Sequence, residues 1–194
     1  MALISRIGFT LFDRWGENLG RLPYTAATHT EALDGTDELK ITCDRELSKG
    51  QRVVWVDRQG RAHEHLVDEV SQVHDDGGKT YCEAVCINSI AELLDDYIED
   101  KRPSGGVAEA LTSILGGTRW EVGTCDLKAS ASHTFYHVSV REGLTDLIAT
   151  WGGELETRIE TDGARVTHRY IGVRASRGDQ QSPKRFTWTK DIVD

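Results

Sequence analysis

The rhythm of apolar and polar positions changes once along this chain, near Asn88. Before it, short apolar or alternating runs are separated by turn signals roughly every ten residues. Phe9-Thr-Leu-Phe-Asp-Arg-Trp-Gly16 is an apolar run closed by a Gly-containing turn, and Leu19 to Leu22 can return from it. After the Asp34-Gly35 turn signal, Glu38-Leu-Lys-Ile-Thr-Cys43 alternates polar and apolar, the period of a strand with one buried face. Val53-Val-Trp-Val56 is a β-branched and aromatic run, and Arg58-Gln-Gly60 turns the chain into a long segment, Arg61 to His74. Asp75-Asp-Gly-Gly78 is the clearest hairpin turn, with Lys79 to Ile87 as its return strand. Strand following strand in this way predicts a barrel or strongly bent sheet from about residue 8 to 87.

Beyond Asn88 the period becomes helical. Ile90, Leu93, Leu94, Tyr97 and Ile98 would share one face of a helix over 89–99, opened by a Ser89/Glu92 capping box. Asp100 to Gly106 breaks it. A second helix, 106–115, carries Val107, Ala108, Leu111, Ile114 and Leu115 on one face and stops at Gly116-Gly117. Arg119 to Val122 and Phe135 to Val138 read as short strands. Ser139 with Glu142 opens a third helix, 140–151, whose apolar face is Leu144, Leu147, Ile148 and Trp151, ended by Gly152-Gly153. Glu154 to Thr161 and Arg165 to Val173 form a hairpin around Asp162-Gly163, expected to receive the helices' apolar faces. Ala110 to Gly117 resembles Asp146 to Gly153, which is read as two helices closed by the same Schellman-type cap. Ala175 to Lys184 is a polar loop, and Arg185 to Val193 alternates enough to be a last strand. The fold class is β-rich α+β, with 1–88 as the sheet domain and 89–184 as the α+β domain.

Composition narrows the partners. The 194 residues suffice for one large or two small domains. Lys and Arg number 23 against 32 Asp and Glu, a net charge of -9, which opposes a broad nucleic-acid-binding face. No apolar run approaches the roughly 20 residues of a membrane helix, so no membrane segment is expected. Met1 to Thr10 lacks the pattern of a secretory signal.

Candidate chemistry is sparse. Cys43, Cys82, Cys86 and Cys125 lack the paired spacing of a zinc knuckle and read as small buried side chains. Gly78-Lys79-Thr80 has Val73 where a phosphate loop needs its first glycine, and it lies between two strands. His63-Glu-His65 would put both rings on one strand face. With no third ligand evident in the sequence, that face is expected to be solvated rather than metal-binding. No Gly-x-Ser-x-Gly elbow occurs, and Asp95-Asp96 with Glu99-Asp100 reads as a solvated flank. Trp15, Trp55, Trp120, Trp151 and Trp188 are assigned to cores, one of them left as an interface anchor. No catalytic, cofactor-binding or metal residue is nominated, no cofactor is expected, and the chain is read as non-enzymatic.

The order of several segments resembles the phage tail hub family, also called the prophage tail endopeptidase or tail-associated lysin family. The resemblance rests on Leu11-Phe-Asp-Arg-Trp-Gly16, Ala32-Leu-Asp-Gly35, Glu38 to Thr42, Tyr81 to Cys86 and Glu92 to Ile98. It continues through Ala108 to Val122, Phe135-Tyr136, Leu144 to Ile148, Gly152 to Glu156 and Phe186 to Ile192. It implies a fold similar to the myophage baseplate hub, with a β-barrel tube-type domain and an α+β domain inserted or appended. It implies a structural protein at the tail tip, made in the host cytoplasm. The partners it implies are two further copies around a channel, the distal tail protein and the tape measure protein, with DNA only passing through. Residues 185–194 would return to pair with the first domain. Peptidase or cell-wall hydrolase activity is the alternative, expected in a C-terminal extension. A hub of a phage-derived secretion or injection spike is a further one. The chain is shorter than a full hub, so an N-terminal piece or reduced paralogue without the later tube domain is expected.

Overall fold

The computed structural model describes residues 7–31, 36–74 and 77–176. Seven strands build one sheet: β1 (Phe9–Phe12), β2 (Asn18–Leu22), β3 (Ala26–Glu31), β4 (Asp37–Cys43), β5 (Arg52–Val56), β6 (Ala62–His74) and β7 (Thr80–Asn88). Their order is β2-β1-β5-β6-β7-β4-β3, every neighbouring pair antiparallel. Strand parity decides the inner face. Leu39, Ile41 and Cys43 pair with Cys86, Ala84 and Cys82, and all six side chains are buried there. Phe9, Leu11, Leu22, Leu47, Val53, Trp55 and Val67 complete this core.

The sheet is strongly curled. His29 of edge strand β3 lies against Trp55 of β5, ring centroids 4.9 Å apart, although three strands separate them in the sheet order. Bulges at Leu11/Phe12 and Val67/Glu69 sharpen the bend. No β2–β3 hydrogen-bonded pairing closes the roll among the described residues. Side chains bridge the gap: the Arg45 guanidinium donates to the Leu19 carbonyl at 2.9 Å, and the Tyr24 hydroxyl to that of Ile7 at 3.0 Å.

The second half holds β8 (Tyr97–Lys101), β9 (Ser104–Gly106), α1 (Val107–Leu115), β10 (Glu121–Cys125), β11 (Ser130–Ser132), β12 (Phe135–Ser139), α2 (Val140–Trp151), β13 (Glu154–Thr161) and β14 (Val166–Arg174). β14 is central in a three-stranded sheet, parallel to β10 and antiparallel to β13. β8 pairs with β12 and β9 with β11. The helix stripes Leu111, Ile114, Leu144 and Leu147 share one core with Ile159, Ile171 and Val173 of the hairpin, as expected. α2 starts on the capping box read from the sequence: Glu142 N–H donates to Ser139 Oγ at 3.1 Å, and Ser139 N–H to the Glu142 carboxylate at 2.9 Å.

Two expectations are corrected. The helix over 89–99 is a six-residue 3₁₀ helix, Ser89–Leu94, followed by strand β8. Its cap is Asn88, whose side chain accepts from Ile90 N–H, while Glu92 points away to Arg52 and Trp120. The supposed stripe is split: Leu93 and Ile98 are buried, but Leu94 and Tyr97 lie 59% and 60% exposed, because pairing with β12 claims the second half. Second, the two Gly-Gly ends differ. After α1 the first positive φ falls at Gly117, whereas after α2 both Gly152 and Gly153 have positive φ. The tryptophans follow the reading that kept one of the five out of the cores: Trp15 is 78% exposed, while Trp55, Trp120 and Trp151 are buried. Trp188 and the strand read over 185–194 lie outside the described residues.

Candidate functional site

Two polar assemblies flank the curled sheet, one on each face of β6. His63 and His65 share the inner face, as parity demands, but that face is not solvated. His65 is wholly buried and His63 half-buried. The curl brings His29 from β3 and Asp37 from β4 beside them, groups that no spacing along the sequence connects. Both His29 Nε2 and His65 Nε2 lie against Asp37 Oδ1, at 2.8 and 2.9 Å, and Asn88 donates to Asp37 Oδ2 at 2.6 Å. Trp55 Nε1–H donates to His65 Nδ1 at 3.3 Å. An indole N–H only donates, so Nδ1 is the bare nitrogen and Nε2 carries the proton. Burial pushes the Asp37 carboxyl up, but the hydrogen bonds from His65, then from His29 and Asn88, outweigh it and hold the group far below the usual range. His63 stacks on Trp55 with centroids 4.4 Å apart and binds Asp57 at 3.1 Å. Burial pushes its imidazole down despite Asp57.

The residue between the two histidines faces the other way. Glu64 is wholly buried between the sheet and the second half. Its carboxylate accepts two bonds from Arg169 of β14, both 2.7 Å, and one from Arg52 of β5 at 3.2 Å. Arg52 also donates to Glu92 at 2.6 Å, and Glu92 accepts from Trp120 Nε1 at 2.7 Å, with Arg119 3.3 Å away. Burial alone would raise the Glu64 pKa. Arg169 and Arg52 reverse that and hold the carboxyl below its ordinary value. This chain of charges joins the two hydrophobic cores.

Cys43, Cys82 and Cys86 are buried in the sheet core, and Cys125 is half-buried in the second half. Gly78 and Lys79 lie between β6 and β7, not ahead of a helix. Asp95-Asp96 follows the 3₁₀ helix, and Glu99-Asp100 lies exposed on β8. Neither the Asp37 cluster nor the Glu64 junction was legible as a site. The motif His63-Glu-His65 touches both, but its partners lie on other strands.

No family model matches the chain, and no curated protein is similar to it in sequence. Solved structures are similar in fold. A tail protein from Neisseria meningitidis MC58 superposes with a TM-score of 0.54 at 14% identity, over 84% of this chain and 50% of that one. The 43 kDa tail protein of prophage MuSo2 from Shewanella oneidensis gives 0.51 at 15% identity, over 88% and 56%. An E. coli type VI secretion component, described as similar to the T4 tail proteins gp27 and gp5, gives 0.46 at 10% identity, over 89% and 47%. The fold is thus that of phage tail proteins, and the chain spans about half the length of those it matches.

Proposed function

We propose that this chain is a structural component of a phage or prophage tail, part of the hub at the distal end of the tail tube. The observation that carries this reading is the fold: a curled sheet followed by a helix-and-hairpin unit, in an order that two tail proteins share over 84% and 88% of the chain. The sequence resemblance to the tail hub family points the same way. In this reading the chain works as an assembly part rather than a lysin, divides near Asn88 into a sheet domain and an α+β domain, and sits in a trimer beside the distal tail and tape measure proteins. The net charge of -9 suits a wall past which DNA moves without sticking.

Imaging of tails with an antibody against this chain tests the reading. Label at the distal tip, with tube assembly lost when the gene is removed, is the expected result. Infectious particles free of the chain would overturn it.

A further inference from the structure

We propose that His29, Asp37 and His65 form a binding site for one divalent transition-metal ion of the zinc class, inside the curl of the sheet. His29 Nε2, Asp37 Oδ1 and His65 Nε2 lie within 4.8 Å of one another. Both nitrogens already converge on the one oxygen, at 2.8 and 2.9 Å. Two imidazoles and a carboxylate are a donor set suited to zinc and its first-row neighbours, with the remaining positions left to water. The supporting shell is in place too, since Asn88 fixes the second carboxylate oxygen at 2.6 Å. Access differs among the ligands. His65 has no exposed side-chain surface, while His29 and Asp37 keep 22% and 21% of theirs. An ion can therefore enter from the side of β3 and still find a buried anchor.

The ligands come from β3, β4 and β6, and β3 is an edge strand. An ion among them would pin that edge across the interior to β6, in a sheet with no hydrogen-bonded closure among the described residues. Coordination needs both Nε2 lone pairs, so each neutral ring moves its proton to Nδ1. At His65 this turns Nδ1 into a donor facing the Trp55 N–H, now 3.3 Å away, and the two must part. Trp55 is consequently a reporter of occupancy. His63 is held by Asp57 and is not a ligand.

The test uses the untagged chain, stripped by chelator, dialysed and titrated with zinc by calorimetry and with cobalt by absorption. One equivalent of zinc per chain, ligand-field bands from bound cobalt and a change in tryptophan fluorescence are expected. His29→Gln and Asp37→Asn should each weaken zinc binding at least about tenfold, and His63→Gln should leave it unchanged. His29 lies on an edge strand, so its variant should stay folded by circular dichroism while losing the zinc-induced rise in Tm. No zinc above the dialysis level in the parent chain, or undiminished binding by folded His29→Gln, would overturn the proposal and leave a cluster held by hydrogen bonds alone.

Discussion

The two halves of the chain solve the same packing problem by different means. In the helix-and-hairpin half, the core around Trp120, Phe135, Leu144 and Leu147 is apolar throughout. Polar groups meet it at its border, where Trp151 Nε1–H donates to the Gly105 carbonyl at 3.0 Å and Trp120 Nε1–H to Glu92. In the curled sheet, apolar side chains fill one end of the interior, and histidines with Asp37 fill the other. The helix-and-hairpin half is specified by neighbours in sequence: capping boxes, helix stripes and a two-strand turn. The curled sheet is specified by which strands meet. A substitution in the helix-and-hairpin half should therefore act where it sits, and one in the sheet should act across the sheet or across the junction.

The largest effect is expected for Leu147→Asp. The side chain is fully buried, and an unpaired charge there costs about 4 kcal/mol. Urea unfolding measures it, and a midpoint equal to the parent's would remove Leu147 from the core. Glu64→Gln comes next, at about 3 kcal/mol, because two buried guanidiniums lose their shared anion. It should also separate the unfolding of the two halves, so that thiol labelling of Cys43, Cys82 and Cys86 no longer coincides with loss of helical circular dichroism. Coincident transitions would mean that other contacts carry the coupling. The same residue sets a pH dependence. Its folded pKa lies below the ordinary 4.5, so the unfolded chain binds the proton more readily. The stabilisation is complete above about pH 4.5 and falls away as pH drops through the folded value. Acid titration should cost the parent more stability than Glu64→Gln.

Smaller effects contrast the glycine pairs. At Gly153, φ is +84° and a Cβ would meet the Arg174 carbonyl at 2.7 Å, so Gly153→Ala should cost about 2 kcal/mol. At Gly117, φ is +99° with open space around it, and Gly117→Ala should cost about 1 kcal/mol. Thermal melts that reverse this order would show that the hairpin backbone yields. The smallest expected signal is in the native thiols. Burial pushes Cys43 up to about 11 and Cys86 up to about 12, so a thiolate-specific reagent at pH 8 should label Cys125 first. Rapid labelling of Cys86 in the parent would reveal opening of the sheet.

Legibility followed the same division. The Ser139/Glu142 capping box and the stripe through Leu147 placed α2 in its observed position, because their physics is local. The strand β3 left no signal. Ala26-Ala-Thr-His-Thr-Glu31 has no apolar alternation, since only His29 turns inward and the rest of this edge strand is exposed. Without β3 there was no third group for His65. Glu92 misled for the reverse reason: a capping pattern was present, but Arg52 and Trp120 drew its carboxylate away from the helix start.

The bond between Glu64 and Arg169 spans 105 residues. At about 5–20 residues per second, a ribosome needs roughly 5–20 seconds to add that much chain. Once β7 is made, and until Arg169 follows, a nascent sheet holds Glu64 with Arg52 but without Arg169, its outer face uncovered. Such a sheet is the species most exposed to pairing with another chain. Production of this protein should accordingly be limited by what happens before Arg169 emerges, and slower growth or holding chaperones should raise its soluble yield more than added stability in the finished fold.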